Sequence, residues 1–263
     1  MSYVDINNIK KLRKLTGVGI LECKKSLIKS KGNIKIAIDL MRKYGKKISI
    51  QKIYNKTSNG IILIKQSEKK KKIIMLEIKC ETDFVEKNIE FKLFGKKIIN
   101  FIINKNIYNI NLINNKFKFE RELLISKFCE NIKIKRFSYL KGENTGFYLH
   151  RSHIGVIVSS TNGKKNFLNK IAMHIAACKP KYLNSKDIPN NLINHEKNIQ
   201  MKIAINSGKT NKISKKIVIG RINKFINEIT LNNQEFIIDN KKKIYQILLL
   251  NKIKINNFIL FEI

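Results

Sequence analysis

IIMLEIKCETDFVEKNIEFKLFGKKII, residues 73–99, changes period in its middle. Ile73 to Lys79 is an apolar run of strand length. After Cys80-Glu81-Thr82-Asp83-Phe84-Val85, the residues Ile89, Phe91, Phe94, Ile98 and Ile99 recur as the buried face of a helix. The segment therefore predicts a strand, a tight turn and a helix, with an acid–aromatic pair, Asp83-Phe84, at the turn. Such loops, held by rigid elements on both sides, are where function concentrates. A plain alternative is that Thr82 and Asp83 cap the helix and Phe84 is an ordinary core residue.

Upstream, a second strand is predicted over Ile61 to Lys65, with Ser67 to Lys72 as a hairpin loop. Three helical patterns precede it. Ile6, Ile9, Leu12 and Leu15 form one stripe, and Thr16-Gly17-Val18-Gly19 breaks it with two glycines able to take positive φ. A second helix starts near Ile20 with Leu21, Leu27 and Ile28 along it. After Gly32-Asn33 a third runs through Ile34, Ala37, Ile38 and Met41 to Gly45, placed as a C′ residue. Residues 46–58 look like a linker.

Downstream, a helix is predicted from Phe119 to Glu130. Strands follow at Ile132 to Phe137, Gly146 to His150 and Ile154 to Ser159. A helix from Lys164 to Cys178 ends at Lys179-Pro180, as proline stops helices. Leu192 to Ser207 and Ile213 to Ile229 read as a helical hairpin broken at Ser207-Gly208. The chain closes with a strand at Phe236 to Ile238, a helix at Ile244 to Leu250 and a last strand, Asn257 to Ile263. The fold class is α+β: an N-terminal three-helix bundle, then a core of two similar strand–helix subdomains with an inserted helical hairpin.

Composition narrows the function. No 18-residue apolar run exists, so no membrane helix is expected. Met1 to Lys11 lack both a secretory core and the pattern of a transit leader, and the chain reads as cytoplasmic. The four cysteines, Cys23, Cys80, Cys129 and Cys178, form no CxxC pair. They are expected to be reduced and mostly buried. His150, His153, His174 and His195 are not spaced as a metal cluster, and each reads as structural or exposed. No phosphate-binding loop, dinucleotide fingerprint, nucleophile elbow or zinc motif is present, so no enzyme chemistry, cofactor or metal is expected. The 54 Lys and Arg against 19 acids give a net charge of +35. That surplus suggests nucleic acid, but it is mostly Lys, spread end to end in a chain crowded with Ile and Asn. It reads chiefly as coding bias. A basic RNA- or ribosome-binding protein stays as the alternative function, with no RNP or KH motif to support it.

Five blocks, in order, resemble the elongation factor Ts family. They are IKKLRKLTGVGILECKKSLIKSKGNIKIAIDLMRKYG (9–45), CETDFVEKN (80–88), GFYLHRSHIGVIV (146–158), IAMHIAACKP (171–180) and GRINKFINEITLNNQEF (220–236). The resemblance implies a guanine-nucleotide exchange factor whose partner is elongation factor Tu in its GDP form, engaged at the nucleotide-binding domain. It places the residues that disturb the magnesium and nucleotide site on Thr82, Asp83, Phe84 and Val85. It implies that the first 45 residues are a UBA-like docking module, with Arg13, Ile20 and Leu21 at the contact, although Ile20 and Leu21 read equally as bundle core. His150 matches a family histidine near the interface. Residues 183–229 correspond to the family's coiled-coil or dimerisation region, which leaves a homodimer or a 2:2 complex open. The C-terminal helical module of many members is expected to be absent, since the resemblance ends with the strand closing at Ile263.

Overall fold

The computed structural model describes residues 5–67, 71–206 and 211–263. The chain divides into two units, 1–65 with 74–138 and residue 263, and 66–73 with 139–262.

In the first unit, α1 (Ile6–Thr16), α2 (Ile20–Lys29) and α3 (Ile34–Lys52) form a bundle. Leu12, Val18, Cys23, Leu27, Ala37 and Met41 are its core, with Ile9, Ile34 and Ile38 packed alongside. Asp5 caps α1 by accepting from the Asn7 N–H at 2.9 Å, and Asn33 caps α3 by accepting from the Ile36 N–H at 3.2 Å. Of the two glycines after α1, only Gly17 has positive φ (69°). Its N–H donates to the Arg13 carbonyl at 2.7 Å, closing the helix.

The apolar stripes are only partly buried: Ile6 and Leu15 on α1, and Leu21 and Ile28 on α2, are exposed. A small three-helix bundle has room for only a narrow apolar stripe on each helix. The third helix also does not stop at Gly45; it runs on to Lys52, so most of the expected linker is helix. The glycine is there for close approach. A Cβ on it would lie 3.3 Å from the Glu122 carbonyl and from Ser126 Cβ, both on α7 (Lys118–Phe128), against which α3 packs.

The rest of this unit is a three-stranded sheet in the order β1 (Asn59–Gln66), β2 (Lys72–Cys80) and β3 (Lys133–Lys141). Between β2 and β3 the chain forms α4 (Asp83–Lys87), α5 (Ile89–Lys105), α6 (Ile110–Lys116) and α7. Helix α5 buries Phe91, Phe94, Ile98, Ile99 and Ile102. Gly95 brings it so near the sheet that a Cβ would sit 2.5 Å from Leu63 Cδ1. Helix α6, capped by Asn109, was not expected; its seven residues hold only one buried side chain, too few for a periodic signal. The expected loop over Ser67 to Lys72 lies partly outside the described residues.

The second unit pairs β4 (Asn144–His150), β5 (Ile154–Ser160) and β8 (Ile255–Glu262) antiparallel, with β5 central. Helix α8 (Lys165–Cys178) lies on this sheet. Its Leu168, Ile171, Ala172 and Ile175 join Val156, Val158, Leu231, Phe236, Ile244 and Ile255 in one core. The hairpin helices α9 (Asn190–Asn206) and α10 (Asn211–Ile229) pack through Ala204, Val218 and Ile222. The expected break at Ser207-Gly208 lies outside the described residues. A small two-stranded sheet, β6 (Glu235–Phe236) with β7 (Asp239–Lys243), and α11 (Ile244–Leu250) lead into β8. β7 was missed because its Asp, Asn and Lys residues carry no apolar alternation.

All four cysteines are free; Cys23 and Cys80 are buried, but Cys129 and Cys178 are exposed. Both exposed thiols sit at helix ends, where the core no longer covers them. His174 is fully buried. Its Nε2 lies 2.9 Å from Gln234 Oε1, and the Ile237 N–H donates to its Nδ1 at 3.4 Å. The obligate backbone donor at Nδ1 assigns the proton to Nε2. Burial holds His174 below the ordinary histidine range, with the Gln234 hydrogen bond opposing. The unfolded chain therefore takes up this proton near pH ~6.5 and the folded chain only at lower pH. The stability gained is fully present above that pH and declines as pH falls below it. Thermal melts of the wild type at pH 7, 6 and 5 should show a falling midpoint. In His174→Gln the slope should be shallower, by up to about 1.4 kcal/mol per pH unit. Equal slopes would show that another group sets the acid sensitivity.

Candidate functional site

Cys80 ends β2, and the chain turns through Glu81 and Thr82 into the short helix α4. Val85 faces inward and is 5 % exposed. Phe84 points the other way and is 82 % exposed, so the core reading of Phe84 is wrong. The reason is period: one residue of helix rotates the side chain by about 100°, and with Val85 anchored inward Phe84 falls outside. Thr82 stands at the N-cap position, but its side chain makes no capping bond. Its hydroxyl instead donates to Glu130 Oε1 at 2.6 Å, and its N–H donates to Glu130 Oε2 at 3.0 Å.

A wider frame holds the turn. The Glu81 carboxylate accepts from the Asn131 N–H at 2.6 Å and from Asn55 Nδ2 at 3.0 and 3.1 Å. The Glu81 carbonyl accepts from Asn59 Nδ2 at 2.7 Å. The Thr82 carbonyl accepts from the Cys80 thiol at 3.2 Å. Glu81, Asn55, Glu130 and Asn131 were not singled out in the sequence. The bonded partners lie 26, 48 and 50 residues apart, and no local spacing records that.

The turn carries several of the chain's 19 acids: Glu81, Asp83 and Glu86 lie along it, and Glu130 bonds Thr82. Asp83 bonds Lys87 Nζ at 2.6 Å one turn along. That hydrogen bond, aided by the ammonium charge, holds the carboxyl below the usual range, so Asp83 is an anion at any physiological pH. Cys80 is pushed up to about 12 by burial first, then by the Glu130 and Glu86 carboxylates. It is an inert thiol, not a nucleophile. Among the described residues, no three His, Cys, Asp or Glu side chains stand together as a metal site requires. What the turn offers is a rigidly mounted aromatic beside a fixed negative charge.

The other candidates lie apart in the sequence. Arg13 is exposed near the end of α1. Ile20 and Leu21, opening α2, are 51 % and 72 % exposed. Their reading as bundle core is thereby excluded; the α1–α2 corner leaves an apolar surface open. His150 closes β4 in the second unit, exposed, with its Nδ1 3.2 Å from the Tyr148 hydroxyl.

A family model described as Elongation factor TS matches residues 81–263. Elongation factor Ts of Blochmanniella pennsylvanica is 46 % identical over 99 % of this chain and 97 % of its own length. The proteins of that name from Sodalis glossinidius and Yersinia pestis are each 42 % identical, over 97 % of this chain and 90 % of theirs. A family match over most of the chain, and relatives this similar over nearly all of it, leave one conclusion: the chain belongs to the elongation factor Ts family.

Proposed function

We propose that this chain is a guanine-nucleotide exchange factor. It binds elongation factor Tu in its GDP form, at the nucleotide-binding domain, and speeds GDP release by disturbing the magnesium and nucleotide site. GTP can then reload for the next round of translation elongation. The observation that carries this reading is the exposed Phe84 on a turn braced by Glu81 and Glu130.

The chemistry is differential binding with no covalent step. Phe84 is a wedge: burying it in a distorted partner is worth about 1.5–3 kcal/mol. Asp83, fixed as an anion, repels phosphate and competes for donors and magnesium near the nucleotide. The bracing of Thr82 and Glu81 means that little ordering entropy is lost on insertion. A thousandfold faster release needs only about 4 kcal/mol off the dissociation barrier. Arg13, Ile20 and Leu21 supply docking area on the helical module, and His150 a further contact. By linkage, a factor that weakens nucleotide binding is itself displaced when nucleotide returns.

The test is release of fluorescent GDP from elongation factor Tu chased with excess unlabelled GDP. Catalytic amounts of the wild-type chain should raise the release rate by at least about 100-fold, which costs the barrier only about 3 kcal/mol. A rate equal to the spontaneous one, with Tu shown to bind nucleotide, would refute the exchange reading.

A further inference from the structure

The frame that braces the Phe84 turn also holds the backbone around a second exposed aromatic. Helix α3 ends at Lys52, and Ile53, in helical conformation, leads into a turn through Tyr54 and Asn55. Ile50, Ile53 and Tyr54 fall at i, i+3 and i+4, so they share one face. All three are exposed, and Tyr54 at 92 % is the barest of the exposed large apolar side chains among the described residues. An aromatic so open is unusual in a residue whose backbone is tightly held.

The backbone here is held by the same frame that holds Phe84. Asn131 Nδ2 donates to the Ile53 carbonyl at 3.2 Å and to the Asn55 carbonyl at 3.0 Å, bracketing Tyr54. The Asn55 side chain bonds Glu81, and Glu81 bonds the Asn131 N–H. Glu130, next in the chain, holds Thr82. One hydrogen-bonded cluster thus fixes two exposed aromatics, Tyr54 and Phe84, on separate segments.

We infer that Ile50, Ile53 and Tyr54 extend the Phe84 surface and bind the same partner, the nucleotide-binding domain of elongation factor Tu, with Tyr54 as a second anchor. The inference rests on the exchange reading above. Tyrosine on a rigid backbone is the kind of residue that dominates interface energetics, since it buries a large area at small entropic cost. The roles of the two aromatics differ. Phe84, beside Asp83, acts on the nucleotide site and governs the maximal rate. Tyr54, remote in sequence from any acid–aromatic pair, supplies affinity and governs the concentration at which that rate is reached.

The experiment is a titration of GDP release against the full-length chain, comparing wild type with Tyr54→Ala, Tyr54→Phe and Phe84→Ala. Tyr245→Ala, an exposed tyrosine of the second unit, is the control. Tyr54→Ala should raise the half-saturating concentration about tenfold with a maximal rate within twofold of wild type. Tyr54→Phe should restore most of the loss, and Tyr245→Ala should overlay wild type. A Tyr54→Ala curve that overlays wild type, while Phe84→Ala lowers the maximal rate, would overturn the second anchor and leave the exchange function standing. A fall in maximal rate with unchanged half-saturation would also overturn it, because Tyr54 would then act on the nucleotide site. No acceleration by wild type would remove the exchange reading itself, which the Tyr54 variants are not needed to show.

Discussion

Phe84→Ala is expected to lower the maximal rate of GDP release from elongation factor Tu by about 10- to 100-fold and to leave the fold unchanged. The magnitude follows from burial: a Phe side chain withdrawn from water contributes about 1.5–3 kcal/mol, and each 1.36 kcal/mol is a factor of ten in rate. The fold should not respond, because the ring is 82 % exposed and its removal opens no cavity. Stopped-flow release at saturating factor gives the rate, and circular dichroism melts give the stability. A variant with the wild-type maximal rate would move the wedge away from Phe84 even if exchange itself is confirmed. A variant that melts early would contradict the exposed placement of the ring.

Gly146→Ala is expected to cost the second unit about 3 kcal/mol, at the upper end of ordinary overpacking penalties. Gly146 is buried in β4, directly under α8. A Cβ there would lie 2.5 Å from Leu168 Cβ, 2.8 Å from the Leu168 carbonyl carbon and 3.1 Å from the Asn169 nitrogen. Two of these atoms are backbone, so no rotamer change relieves the clash and the helix itself must lift. Lifting it breaks the bond from the Phe147 N–H to Asn169 Oδ1, now 2.9 Å, and opens the core formed by Leu168, Ile171 and Val156. At about 2–4 °C per kcal/mol for a domain of this size, the melting midpoint should fall by roughly 6–12 °C. A midpoint within about 2 °C of wild type would limit the cost to about 1 kcal/mol at most and show that α8 shifts readily on the sheet. Exchange activity measured well below the midpoint should survive, since Gly146 is remote in sequence from Asp83 and Phe84.

Much of this molecule was legible along the chain. Helix α8 was readable because Leu168, Ile171, Ala172 and Ile175 repeat at helical period and Pro180 ends the run. Strands β2 and β5 were readable as short apolar runs. The site was legible as far as its position, since Asp83-Phe84 sits where the period switches from strand to helix. The direction of Phe84 was not: a buried and an exposed Phe at this position read alike along the chain. Likewise Gly45 carries the same letter whether it ends a helix or lets two helices touch.

The division has one physical cause. Sequence alone determined what depends on neighbours a few residues away: the helical and strand periods, the turn at Gly32-Asn33, the proline stop, and the family blocks. Those signals are set by local backbone sterics and by the alternation of apolar side chains. Only the tertiary structure decided that Glu130 grips Thr82, that Asn131 brackets Tyr54, and that Phe84 and Tyr54 stand in solvent. Those facts depend on which distant segments meet when the apolar faces are buried, and burial is non-directional along the chain. It is long-range packing that turns a strand-to-helix corner into a braced turn with an outward-facing aromatic.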